Sequence, residues 1–138
     1  MKKMSFFCCV SAILLLSACT DPKINQGPTL TIERHDPLHK MGDQAVFIQT
    51  IEDIKQIEKL IQLINDLPEF PEGMQHCPLD NGVNYDLKFN HIYSENEVNV
   101  KATGCQGVRV NNKEYWGLEP QGNGFGPFFQ SLLKGESR

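Results

Sequence analysis

The residue with the clearest chemical potential in this 138-residue chain is Cys19, because of what precedes it. The chain begins with Lys2 and Lys3, and residues 6–16 form an apolar run of 11 residues that only Ser11 interrupts. A positive start, a short apolar run and small residues after it are typical of a secretory signal peptide. A transmembrane helix needs about 18 or more apolar residues, so the run predicts export rather than a membrane span.

The run closes with Leu16, Ser17, Ala18 and Cys19. These four residues resemble the lipobox of bacterial lipoproteins, in which an aliphatic residue and two small ones precede a cysteine. The resemblance implies that the Cys19 thiolate, the nucleophilic form of the side chain, is alkylated by a diacylglyceryl group. It also implies that a type II signal peptidase cuts after Ala18. Because two acyl chains, such as palmitate, hold a protein far longer than one, we expect a lipid-anchored protein at the extracytoplasmic face of the cell membrane.

This cleavage would divide the chain into three parts. Residues 1–18 are the signal peptide, residues 19–28 the lipidated N-terminus and a flexible Pro- and Gly-containing tether, and residues 29–138 a single domain. The leader carries two lysines and no acid, so the net charge changes from −4 to −6 on maturation. Proteins that bind nucleic acid carry a basic patch, which argues against a nucleic-acid partner. We expect no cofactor beyond the lipid on Cys19.

Two of the five cysteines stay available in the mature chain. Cys8 and Cys9 leave with the leader, Cys19 is lipidated, and Cys77 and Cys105 remain. Disulfides persist in exported proteins, so we predict a Cys77–Cys105 bond. The alternative is a free, reactive or metal-binding pair, although neither cysteine belongs to a CxxC motif.

A second group of chemically capable side chains is the H-D-x-x-H sequence of His35, Asp36 and His39. On a helix the two histidines would share a face, as zinc ligands do. Pro37 lies between them and the segment has the composition of a loop, so we expect a solvated turn. These residues stay weak candidates for metal binding.

The elements that position these residues follow from periodicity. Thr50 and Asp53 form a capping-box pattern, and apolar residues then recur every three or four positions as far as Leu67, which predicts one long amphipathic helix. Mostly alternating apolar patterns predict strands at residues 29–34, 44–49, 83–90, 97–102, 105–110 and 113–118, and Pro127 suits the start of a short helix. The expected fold class is α+β: a small antiparallel sheet with the long helix packed on one face and a short C-terminal helix.

Aromatic residues suggest a contact patch. Tyr115 and Trp116 lie on a predicted hairpin, and Phe70 and Phe125 lie on predicted loops. Trp and Tyr are enriched in protein interfaces, so these four residues are candidates for binding a partner. The alternative is that Trp116 and Phe125 close the core beside the last helix.

Residues 50–110 also resemble a group of small uncharacterised exported lipoproteins of Gram-positive bacteria. The resemblance rests on the predicted helix, on the segment from Cys77 to Gly82 with Tyr85, and on the segment from Ala102 to Cys105. It implies the same fold and the same cysteine pairing, and no activity. We therefore expect a non-catalytic, membrane-anchored module that binds an envelope protein or another envelope component. The alternatives are a small envelope enzyme or metal binder that uses His35, Asp36 and His39, and an inhibitor of an extracellular enzyme.

Overall fold

A computed structural model describes residues 27–37, 47–94 and 97–135. The elements in these ranges are β1 (Thr29–His35), β2 (Ile48–Ile51), α1 (Ile54–Asn65), β3 (Asn84–Asn90), β4 (Val98–Lys101), β5 (Gly107–Val110), β6 (Lys113–Trp116) and α2 (Phe125–Leu133). The predicted lipobox with Cys19, most of the expected tether and His39 lie outside the described residues. The division into leader, tether and domain therefore stays a prediction.

The six strands form one antiparallel sheet in the order β2-β1-β3-β4-β5-β6. From β3 to β6 the strands follow one another as a meander. The first strand departs from this order, because β1 lies between β2 and β3 and pairs with β3 from Thr29↔Asn90 to His35↔Asn84. The pairing of β1 with β3 thus joins the start of the described chain to its middle.

The two faces of the sheet differ in chemistry because side chains alternate along each strand. One face is apolar and packs against both helices, and its buried residues include Leu30, Ile32, Leu87, Val100 and Val108 from the strands and Ile57, Leu60, Ile64, Phe129 and Leu132 from the helices. The opposite face, here called the outer face, carries charged and amide side chains, among them Glu33, Asp86, Lys88, Asn99 and Arg109. In the described part of the chain, no helix is long and apolar enough to cross a membrane.

The predicted architecture with one long amphipathic helix is wrong. The structure has a six-stranded antiparallel sheet with two short helices. Thr50 and Ile51, expected at the helix start, belong to β2 and pair with Thr31 and Leu30. The helix begins only after Asp53, whose carboxylate accepts a hydrogen bond from the Lys55 N–H at 2.9 Å. Ile51 fits the helical stripe equally well, but burial against Leu30 in the sheet decides its conformation.

Candidate functional site

The most distinctive surface feature is the long loop of residues 68–82, which we call the pinned loop. Its first residues run beside β6, the last strand of the sheet. The Phe70 N–H donates to Glu114 O at 3.0 Å, and the Trp116 N–H donates to Pro68 O at 2.9 Å. These bonds use backbone groups that an edge strand otherwise exposes, so the loop covers this edge and is fixed at its start.

A disulfide between Cys77 and Cys105 fixes the loop near its other end. The two Cα atoms lie 4.9 Å apart and the residues are 28 positions apart in the sequence, which confirms the predicted pairing. Cys105 is buried while Cys77 is exposed. The bond therefore ties an exposed loop to the edge of the core.

Side-chain hydrogen bonds tie the end of the pinned loop to the turn after β4. Asp80 Oδ1 accepts from the Gly82 N–H at 2.8 Å and lies 3.0 Å from the Thr103 hydroxyl oxygen. The same hydroxyl oxygen accepts from the Asn81 N–H at 3.1 Å. The Gly82 hydrogen bond first, and the Thr103 hydroxyl next, lower the pKa of the Asp80 carboxyl below its ordinary value, because both stabilise the charged form.

The turn also depends on Gly104. Its φ is +68°, and an added Cβ would lie 3.1 Å from the Cβ of Asp80. A glycine meets both conditions, a left-handed backbone and a close neighbour, without strain.

Between its two fixed ends the pinned loop presents two large apolar side chains to solvent. Met74 is 91% exposed and Leu79 is 92% exposed. At the start of the same loop, Phe70 packs against Trp116 of β6 at a tilt, with ring centroids 5.0 Å apart. An open groove of about 280 Å³ adjoins the Trp116 ring and is lined by Pro68, Glu69, Pro71, Gln75, Trp116 and Gln121.

The four predicted contact residues do not form one patch. Phe70 and Trp116 meet at the surface, but Tyr115 pairs with buried Val108 and points toward the core side of the sheet. Phe125 is 1% exposed and stacks on Phe129 with ring centroids 5.8 Å apart, so it is a core residue. The sequence does not single out Met74 and Leu79 as contact residues, because large apolar side chains are ordinarily expected to be buried.

The H-D-x-x-H residues do not converge in the described structure. His35 ends β1, and its Nε2 lies 2.8 Å from Asp86 Oδ2 on β3. Asp36 instead accepts a hydrogen bond from Arg34 at 3.1 Å, and His39 lies outside the described residues. Within the ranges 27–37, 47–94 and 97–135, no group of three or more His, Cys, Asp or Glu side chains is placed to hold a metal ion.

The outer face of the sheet is a network of paired polar groups. The Asn99 amide donates to Asn84 Oδ1 at 2.8 Å and to Asp86 Oδ1 at 2.7 Å. Lys88 pairs with Glu33 at 3.1 Å. These contacts neutralise much of the charge on this face, which also carries open concavities of about 350 and 210 Å³. The strand alternation predicts that these residues face outward, but only the register shows which of them pair.

Comparison of the chain with models of known protein families, with curated proteins and with solved structures found no match.

Proposed function

We propose that this protein is a non-catalytic lipoprotein, anchored through Cys19 at the extracytoplasmic face of the cell membrane, that binds an envelope protein through the pinned loop. The leader and the residues from Leu16 to Cys19 support the anchor. The exposure of Met74 and Leu79 on a loop that is fixed at both ends supports the binding surface, and it is the observation on which the proposal depends.

Exposed apolar side chains of this size stabilise a complex when a partner covers them. Burial of a Met or Leu side chain contributes about 1.5–3 kcal/mol. A preformed surface loses less conformational entropy on binding than a flexible one, and the disulfide and the β6 contacts provide that preformation. Trp116 adds a residue type that is enriched among binding hot spots.

The charge around the loop indicates the chemistry of the partner. Glu69 and Glu72 lie near its start and Asp80 near its end, whereas the loop carries no lysine or arginine. Complementary charge at an interface speeds association and excludes wrong partners. The partner therefore has an apolar pocket for Met74 and Leu79 with a basic rim.

The anchor is tested by Cys19→Ala in cells labelled with a radioactive fatty acid. The wild-type protein is expected to carry label and to fractionate with membranes, and the variant to lose both properties. Undiminished membrane retention of the variant would contradict the anchor.

The binding surface is tested separately, by crosslinking in intact cells with the wild-type anchor in place. The double variant Met74→Ser/Leu79→Ser is expected to lose the wild-type adduct because the apolar contact is gone. Ile54→Ser is the matched control, because Ile54 is also an exposed apolar residue but lies at the start of α1. An adduct that is unchanged in the double variant, or lost equally in the control, would refute the role of the pinned loop.

A further inference from the structure

The two edge strands of the sheet, β2 and β6, differ in whether another segment pairs with them. The β6 edge is covered by residues 68–70 of the pinned loop. Within the ranges that the structure describes, no residue pairs with β2 on the side away from β1. Open edge strands pair readily with other strands, so β2 is the place where the sheet can be extended.

The direction of the backbone groups on β2 follows from one hydrogen bond. The Arg34 N–H donates to Phe47 O at 3.0 Å, so residues 34 and 47 form a hydrogen-bonded pair. Such pairs alternate along an antiparallel ladder. Gln49 and Ile51 therefore also bond to β1, and Ile48 and Thr50 turn their N–H and C=O groups toward the open edge.

Natural edge strands usually carry a charge, a proline or a bulge that prevents pairing. The segment from Phe47 to Ile51 has the sequence FIQTI and contains no charged residue and no proline. Ile48 is 59% exposed and Phe47 is 41% exposed. This strand lacks the usual protection and presents apolar side chains instead.

We propose that β2 pairs antiparallel with β2 of a second copy of this chain, giving a continuous sheet across a two-fold axis at Gln49. In this register Ile48 of one copy faces Thr50 of the other. The outward N–H and C=O groups of both residues then form four intermolecular hydrogen bonds, and every one of these outward groups is satisfied. A two-fold contact of this kind uses the same surface on both copies.

The side chains fit the same register. Phe47, Gln49 and Ile51 share the helix-facing side of the sheet, since Ile51 is in the core and the Gln49 amide donates to Leu132 O of α2 at 2.8 Å. Paired residues share a face, so the second copy's Phe47 lies opposite Ile51. Ile51 borders an open groove of about 410 Å³, lined also by Gln49, Thr50, Gln56, Phe128 and Leu132. Phe47, which its own chain leaves partly exposed, is the side chain that enters this groove on the partner copy.

The proposal is tested with Gln49→Cys in the full chain in intact cells under mild oxidation. In the proposed register residue 49 of one copy lies directly opposite residue 49 of the other. Directly opposite residues of antiparallel strands have Cβ atoms about 4.5–5.5 Å apart, close to the Cβ–Cβ distance in a disulfide. A band of twice the monomer mass on a non-reducing gel is expected. Glu114→Cys, at a position of β6 whose backbone C=O accepts from the Phe70 N–H, and the wild-type chain are the controls, and neither is expected to give this band. An adduct with a different protein, or no adduct, would overturn pairing with a second copy.

A second variant avoids the core-side contacts of Gln49. Ile48→Lys places a charge on an exposed side chain, so the fold is expected to persist while edge pairing is disfavoured. Sedimentation of the full chain in detergent is expected to show a dimer for the wild type and for Met74→Lys, and a monomer for Ile48→Lys. A monomeric wild type, or a dimeric Ile48→Lys variant, contradicts the proposal. Neither result bears on the pinned loop, so the two proposals fail independently.

Discussion

The hydroxyl of Thr103 lies 3.0 Å from Asp80 Oδ1, across 23 residues of sequence. This contact joins the end of the pinned loop to the turn after β4. It gives the loop a second attachment close to the disulfide. The folded structure also favours the ionised form of Asp80, because the hydrogen bonds from Gly82 and Thr103 both stabilise the charged carboxylate.

We expect stability to depend on pH through Asp80. Its pKa is lower in the folded than in the unfolded chain, so its contribution is present above about pH 4 and is lost as the pH falls through the folded-state pKa. Thr103→Val removes one hydrogen bond to the carboxyl and should raise the pKa of Asp80 toward its ordinary value. A carbon-13 NMR titration of the Asp80 side chain measures the shift. An unchanged titration in Thr103→Val would show that the contact does not stabilise the charge.

Loss of the disulfide should destabilise the fold. On the chain-entropy model, a closed loop of about 29 residues contributes about 3.6 kcal/mol. We expect Cys77→Ala/Cys105→Ala to lower the free energy of unfolding by about this amount, as measured by urea denaturation. Reductant should have a similar effect on the wild type and no further effect on the double variant. Equal stability of the two proteins without reductant would contradict a structural role for the bond.

Gly117 should not tolerate a side chain. It is buried, its N–H donates to Gln106 O at 3.1 Å, and an added Cβ would collide with that same carbonyl oxygen. Gly117→Ala is expected to cost about 1–3 kcal/mol, as overpacking does. Gly27→Ala is the control, because a Cβ there meets no atom within 4 Å. Thermal unfolding of both variants tests the difference, and equal midpoints would contradict the close approach.

Phe125 should act as a core residue and not as a contact residue. Truncation of a buried phenylalanine typically costs about 3–5 kcal/mol, so Phe125→Ala should be strongly destabilised in urea denaturation. Met74→Ala should remain within about 0.5 kcal/mol of the wild type, as exposed positions do. A reversed order of the two variants would mean that the aromatic side chain, and not Met74, is the exposed one.

Local patterns predict some elements of this protein well and others poorly. The alternation of Tyr85, Leu87 and Phe89 predicts a strand, and β3 lies there. Helical spacing wrongly predicts that Ile51 belongs to α1. Its position also suits a strand, and its pairing with Leu30 in the sheet determines its conformation. The position of β1 beside β3 follows from no local signal.

In the candidate site, too, the sequence predicts some features and not others. Sorting of the cysteines by their chemistry predicts the bond between Cys77 and Cys105, which the structure confirms. The contact between Asp80 and Thr103 depends on how distant turns meet, which the sequence does not indicate. The exposure of Met74 and Leu79 runs against the hydrophobic pattern itself, since composition alone places such residues inside.

The strand order also has a consequence for the time course of folding. The strands β3 to β6 are joined by short connections and can pair as soon as they are available, whereas Thr29 must wait for Asn90, 61 residues later. Closing a longer loop costs more entropy before any contact compensates for it, and distant pairing slows folding. We therefore expect the meander to form first, and β1 with β2 paired to it, although first in the sequence, to dock last and to complete the sheet.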